Sequence, residues 1–307
     1  MRHGALGLLS LVALLTGTPG HAAETAAASG KEPVSEVTVR GNKPSELLPR
    51  LSGFAYGITE PVNGEGLARW NVPVCPLVSG LARDEGEFVL QRLSDIARTA
   101  GVPLAGERCR PNLYVMVTGE PRRLLQAMAD HKREVVFANA SPTAVDAFIA
   151  RTEPVRVWYS TYRTVPGGAA PSRGAPPAAQ LLGGGLAGAP TYTGSWLNNS
   201  HLQAPSEFNL NYVYVIADAS RLRGLSRGQF ADYVAMMGLA QLKDPPHLGD
   251  APTILKLFSG TPADTVPELS SWDRAFLKAL YLTDPSTTVQ RNQLGLEMVR
   301  QIAPSGH

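Results

Sequence analysis

Apolar and polar residues recur at two periods along this chain, and the switches between them mark its elements. Asn112–Thr118 (NLYVMVT), Val155–Thr164 (VRVWYSTYRT) and Asn211–Ala219 (NYVYVIADA) are rich in β-branched and aromatic residues and predict strands, the last being the strongest. Between Asp84 and Ala100 the apolar residues Phe88, Leu90, Leu93, Ile96 and Ala97 fall at helical spacing, with Asp84 placed to cap. Further helices are predicted over Pro121–His131 and Pro142–Ala150, the second introduced by Ser141 with Pro142 at its first position. Ser226 and Gln229 have the spacing of a capping box, ahead of Phe230, Val234, Met237 and Leu242 on an apolar face. A last helix is expected to open at Pro285 and to dock through Val289, Leu296, Val299 and Ile302. Strands alternating with helices predict a mixed α/β (α+β) domain.

Outside these elements the pattern changes. Arg2 and His3 precede an apolar run from Ala5 to Leu15 and a small-residue exit at Ala22–Ala23, which predicts a signal peptide over residues 1–22 and an exported, periplasmic or secreted, protein. That run is too short to span a bilayer, and no later run is long and apolar enough to do so. Residues 23–50 are rich in Ala, Ser, Gly, Lys and Glu and read as a disordered extension, with one globular domain over 51–307. Within that domain Val165–Pro190 is dominated by Gly, Pro and Ala and reads as a long flexible loop.

Charge and cysteine content narrow the function classes. Without Arg2 the 28 basic residues become 27 against 26 acidic ones, and no basic stripe interleaved with aromatics appears, so nucleic acid is not an expected partner. The two cysteines, Cys75 and Cys109, lack histidines at ligand spacing. In an oxidising compartment they are expected to form a structural disulfide, enclosing the predicted helix at 84–100, in preference to a metal site or a reactive thiol.

Candidate chemistry is sparse. Gly224-Leu225-Ser226-Arg227-Gly228 fits the G-x-S-x-G pattern of a nucleophile elbow, with Asp250 or Asp264 and His307 downstream to complete a triad. Four residues separate its first glycine from the preceding strand, whereas an elbow turns directly off the strand, and Ser226 already has a use as N-cap. His131 and His201 are isolated. Tyr159, Tyr192, Trp196 and Tyr214 could line a pocket or fill a core built from strands. No phosphate-binding glycine loop is present, because Gly183–Gly188 lacks a following Lys-Ser/Thr.

The segment Phe230–Leu242 (FADYVAMMGLAQL) follows a strong strand and precedes Thr253-Ile254-Leu255, and it resembles the active-site helix of metzincin zinc peptidases, H-E-x-x-H-x-x-G-x-x-H. Aligned on Gly238, the ligand positions hold Ala231, Ala235 and Gln241, and the general-base position holds Asp232. Thr253-Ile254-Leu255 stands where the family has its methionine turn. Leu269-Ser270-Ser271-Trp272-Asp273 with Ala279-Leu280-Tyr281 is similar to the family's last helix. The resemblance implies a zincin-like mixed sheet with an active-site-type helix that has lost its zinc ligands, since a methyl group donates no electron pair. His247 and Asp250 are the remaining residues that could approach such a cleft, and Asp232 reads as an exposed residue favouring the helix start.

A second resemblance lies in the extension. Glu36-Val37-Thr38-Val39-Arg40-Gly41 is similar to the TonB box of outer-membrane transporters, which implies partner binding by strand addition. The function expected from all of this is a non-catalytic, exported binding or scaffold protein on a degenerate metallopeptidase fold, with no cofactor. The alternatives are a serine-type or rearranged hydrolase using Ser226 or Asp232 with His247, and a TonB-system partner acting through Glu36–Gly41.

Overall fold

Four strands and seven helices form among the residues that the computed structural model describes, which are 44–62, 66–138, 140–164, 207–260, 266–287 and 289–303. The expected signal peptide, the TonB-box-like segment Glu36–Gly41 and the Gly/Pro-rich loop Val165–Pro190 lie outside the described residues. The strands are β1 (Pro76–Ser79), β2 (Leu113–Thr118), β3 (Val155–Thr164) and β4 (Glu207–Asp218), arranged in the order β1-β2-β4-β3. β1, β2 and β4 run parallel, with Leu113 opposite Val213, while β3 is antiparallel to β4, with Val155 opposite Ala217 and an irregularity at Ser160/Thr161.

Side chains on this sheet alternate between two layers, as the pleat requires. Leu113, Val115 and Val117 of β2, with Val213, Val215 and Ala217 of β4, face the main core. Over them pack α1 (Pro44–Ile58), α2 (Arg83–Ala100), α5 (Arg227–Leu239), α6 (Ser271–Leu282) and α7 (Gln290–Ile302). Tyr114, Met116, Tyr214 and Ile216 face the opposite side, where α3 (Pro121–Val136) and α4 (Pro142–Ala150) enclose a smaller core around Phe137, Phe148 and Trp158. The mixed α/β class is therefore as expected.

Several local readings are met. Ser141 accepts a hydrogen bond from the Ala144 N–H and Pro142 opens α4, while Ser226 and Gln229 form the reciprocal capping box of α5. Cys75 and Cys109 are bonded across a Cα–Cα distance of 6.0 Å. At the end of α2, Gly101 adopts φ +88°, which only glycine takes without strain, and lets the Val102 N–H return to the Ala97 carbonyl.

Other readings are corrected. α1 begins at Pro44, so residues 44–50 belong to the folded body and not to the extension. Its buried residues Leu47, Leu51, Phe54, Ala55 and Ile58 carry a helical period across an internal Pro49. The cap of α2 is the backbone of Ala82, whose carbonyl takes the Gly86 N–H, and Asp84 sits in the first turn. α3 continues past His131, bending at Lys132. α7 starts at Gln290, because the Asp284 carboxylate accepts from the Ser286 N–H and hydroxyl and fixes a turn there. α7 docks through buried Leu294 and Met298 together with half-buried Val299 and Ile302, the last two as expected, whereas Val289 and Leu296 are exposed. Gly295 lies against Ser52 of α1, where an added Cβ would stand 2.2 Å from the Ser52 hydroxyl oxygen.

Candidate functional site

The packing of α5 decides what it can do. Phe230 to Leu239 are buried on every side except at half-buried Tyr233. Ala231 and Ala235 are both 0% exposed and belong to the main core. Their methyl groups fill space, and that space has no room to spare for larger side chains at interior packing density. Gly238 permits close approach to the sheet: a Cβ there would stand 2.9 Å from a methyl of Leu113. Its carbonyl accepts from the buried Trp70 indole N–H at 2.9 Å. The helix ends at Leu239 and Ala240 is extended (φ −139°, ψ 146°), so Gln241 falls outside the helical frame that the motif needs. The Gln241 Oε1 is buried without a hydrogen-bond partner among the described residues.

Asp232, expected to be exposed, is the reverse: it is 0% exposed and its carboxylate is fully engaged. Arg92 of α2 approaches it with both arms of the guanidinium, Nε to Oδ1 at 2.6 Å and Nη2 to Oδ2 at 2.9 Å. The Leu269 N–H donates to Oδ2 at 2.7 Å. Arg92 Nη2 also reaches Glu268 at 3.2 Å, and Glu268 pairs with Arg274 at 3.3 Å. Asp232 thus joins α2, α5 and the segment entering α6. The hydrogen bond to Asp232 holds the Arg92 guanidinium more firmly protonated than usual. That from Arg92 lowers the Glu268 carboxyl below its ordinary range. A general base needs a lone pair facing a reacting water, and the Asp232 oxygens are turned to a guanidinium and a backbone amide instead. Local sequence could not identify Arg92, since 140 positions separate it from Asp232.

The downstream elements follow the predicted order, a short 3-10 turn at Ile254–Phe258 and then α6. Asp273 knits them together. It is buried and accepts from the Thr253 hydroxyl at 2.6 Å, the Ile254 N–H at 2.9 Å and both the N–H and hydroxyl of Ser270 at 2.9 Å. Burial raises its carboxyl above the ordinary value, against the pull of those hydrogen bonds. The L-S-x-x-D pattern at Leu269–Asp273 is therefore a capping box with an added link to Thr253. Tyr281 closes the layer by donating to the Leu239 carbonyl at 2.5 Å.

The remaining candidates are dispersed. His247 is exposed, and its N–H donates to the Gly57 carbonyl at 2.8 Å; Asp250 is exposed as well. Among the described residues no cluster of three His, Cys, Asp or Glu side chains is placed to hold a metal ion. A Cβ on Gly57 would stand 2.1 Å from the His247 carbonyl oxygen, so Gly57→Ala must displace backbone. The expected cost is about 1–3 kcal/mol, read as a lower midpoint in urea unfolding.

Ser226 is exposed, follows a 3-10 turn at Ala219–Arg221 and spends its hydroxyl on the Gln229 N–H at 3.1 Å. No hydrogen bond joins it to a histidine among the described residues; Asp264, His307, His201, Tyr192 and Trp196 lie outside them. His131 is exposed on α3. Tyr159 donates to the Met237 carbonyl at 2.9 Å, and Tyr214 stacks on Tyr114 at 4.9 Å. Burial raises both phenols well above their ordinary value. No protein-family model, curated protein or solved structure matches this chain.

Proposed function

We propose that this chain is a non-catalytic, exported binding or scaffold protein on a degenerate metallopeptidase-like frame, and that it holds an extended segment of a partner protein along β3. The observation that carries the reading is the clamp of Arg92 and Leu269 on Asp232, together with the buried methyls of Ala231 and Ala235. These residues occupy the positions where the resemblance would put chemistry, and each serves the core. What such a frame still offers is a sheet edge. β3 stands at the margin of the sheet among the described strands, pairing there with β4, and the backbone of such a marginal strand, here over Val155–Ser160, can template another chain. The Cys75–Cys109 bridge suits an oxidising compartment, and no helix among the described residues is long and apolar enough to cross a membrane.

The test is site-specific photocrosslinking in cells from Ser160 on β3, with Leu90, exposed on α2, as control. A defined adduct from Ser160 alone is expected. A peptide taken from the crosslinked segment should then slow hydrogen exchange of the amides at 155–161. No adduct, or an adduct whose peptide leaves β3 exchange unchanged, would sink the strand-addition reading.

A further inference from the structure

β2 and β4 are neighbouring parallel strands whose chains leave in opposite directions. After β2 the chain turns at Gly119–Glu120 into α3 on the face of the smaller core, and after β4 it turns through Ala219–Arg221 toward α5 in the main core. In open α/β sheets such a switch leaves a crevice outside the carboxyl ends of the strands, where ligands bind. An open crevice of about 710 Å³ occupies that place.

Its lining is basic on balance. Arg122, Arg123, Arg151, Arg156 and Arg221 contribute to it, against Glu120, Glu153 and Asp218. Two of the acidic groups are in ion pairs, Glu120 with Arg123 at 3.1 Å and Glu153 with Arg151 at 3.1 Å, while Asp218 accepts from the Ser220 N–H at 2.9 Å and, like Glu153, offsets part of the Arg156 charge through space. Arg122, Arg156 and Arg221 are left without an ion pair among the described residues. Arg156 is the most telling of the three, because it is only 2% exposed. Its Nη1 donates to the Ile149 carbonyl at 3.2 Å and the Arg151 carbonyl at 2.9 Å, and its Nε has no acceptor among the described residues. A buried cation with an unused donor costs stability unless something answers it.

The start of α3 adds to the same demand. The N-cap residue of this 16-residue helix, Glu120, makes no side-chain cap and pairs with Arg123, and the first turn holds no acid, only Arg122 and Arg123. Cations at a helix N-terminus oppose its dipole, while an anion bound there would be favoured by the dipole, the free amides and the arginines together. Desolvation depresses the Arg156 guanidinium; the charges of Glu153 and Asp218 pull the other way, and those of Arg151 and Arg122 add to the depression.

We propose that this crevice is a phosphate site, taking the phosphoryl group of a small molecule or of a lipid headgroup with Arg122, Arg156 and Arg221 as its cationic wall. A phosphoryl dianion presents several acceptor oxygens to planar guanidinium groups, whereas a carboxylate presents two. The site is separate from α5 and stands or falls independently of the strand-addition reading.

The experiment is calorimetric titration of the purified full chain with pyrophosphate, and with succinate at matched ionic strength. Saturable binding of pyrophosphate is expected, tighter than succinate by about tenfold or more. The variant Arg122→Gln/Arg221→Gln, at two exposed positions, should weaken it by about tenfold or more. Arg83→Gln/Arg98→Gln removes the same charge from α2 and should leave binding unchanged. Absence of saturable binding, a preference for succinate, or equal loss in both variants would overturn the proposal. Sedimentation with phosphatidic acid vesicles separates the two sources. Co-sedimentation lost in Arg122→Gln/Arg221→Gln assigns the site to a lipid headgroup, and retained pyrophosphate binding without co-sedimentation assigns it to a soluble phosphate.

Discussion

Replacing Arg92 with Met is expected to cost about 3–5 kcal/mol, enough to take a large part of the stability of an ordinary domain. The reason is an imbalance in burial. Asp232 is 0% exposed, while the side chain of Arg92 is 33% exposed, so the carboxylate depends on the guanidinium far more than the reverse. Removing Arg92 leaves two of the three hydrogen bonds to Asp232 unmade and its charge unanswered in a wall of α5, Leu269 and α2. Because Arg92 retains some contact with water, the loss should fall toward the lower end of that range. The double variant Arg92→Met/Asp232→Leu is the informative companion. It exchanges the pair for apolar groups of similar volume and should recover most of the loss, since what is costly is a buried charge without its partner. Urea unfolding of the two variants measures this directly. A single variant within about 0.5 kcal/mol of the parent would show that the clamp is dispensable.

Loss of the disulfide should be nearly as damaging. Cys75 and Cys109 are separated by 34 positions, and closing a loop of that length in the unfolded chain is worth about 3–4 kcal/mol in the chain-entropy account. The native state adds a local reason. Cys75 immediately precedes β1, an edge strand of only four residues, and the Cys75 N–H donates to the Asn112 side chain at 2.6 Å beside the start of β2. In Cys75→Ser/Cys109→Ser the midpoint of unfolding should fall, and the amides of β1 should exchange faster than those of β3 and β4. A uniform rise in exchange over the sheet would place the whole effect in the unfolded chain; an unchanged midpoint would refute the expectation.

What could be read in the sequence was local. Ser141–Pro142, Ser226 with Gln229, and the limits of β3 are set by residues within four positions of each other or by a plain run of strand formers, and they stand where they were expected. Long-range partners were illegible. Asp232 looked like a first-turn acid because its sequence neighbours say nothing of Arg92, and Leu294 and Met298 could not be told from Leu296 until α1 fixed which side of α7 is covered. α1 was hidden by composition, since Pro49 and a polar run before it masked a clean apolar period. The site suffered most from this. A motif frame gives spacing along a helix but not its burial, and α5 is covered almost all round. The arginines at the end of β2 and β4 come from four separate stretches of chain and form no motif at all.

The pairing of α1 with α7 has a consequence for how the chain is made. Ser52 of α1 lies against Gly295 of α7, and the Leu67 N–H beyond α1 donates to the Gln290 side chain at 2.8 Å, so among the described helices the first leans on the last. A chain emerging from its N-terminus therefore carries α1 with its apolar stripe uncovered until nearly all of the body has followed. The main core is closed on this side only when the thirteen-residue α7 docks, which makes that helix the latch of the described body.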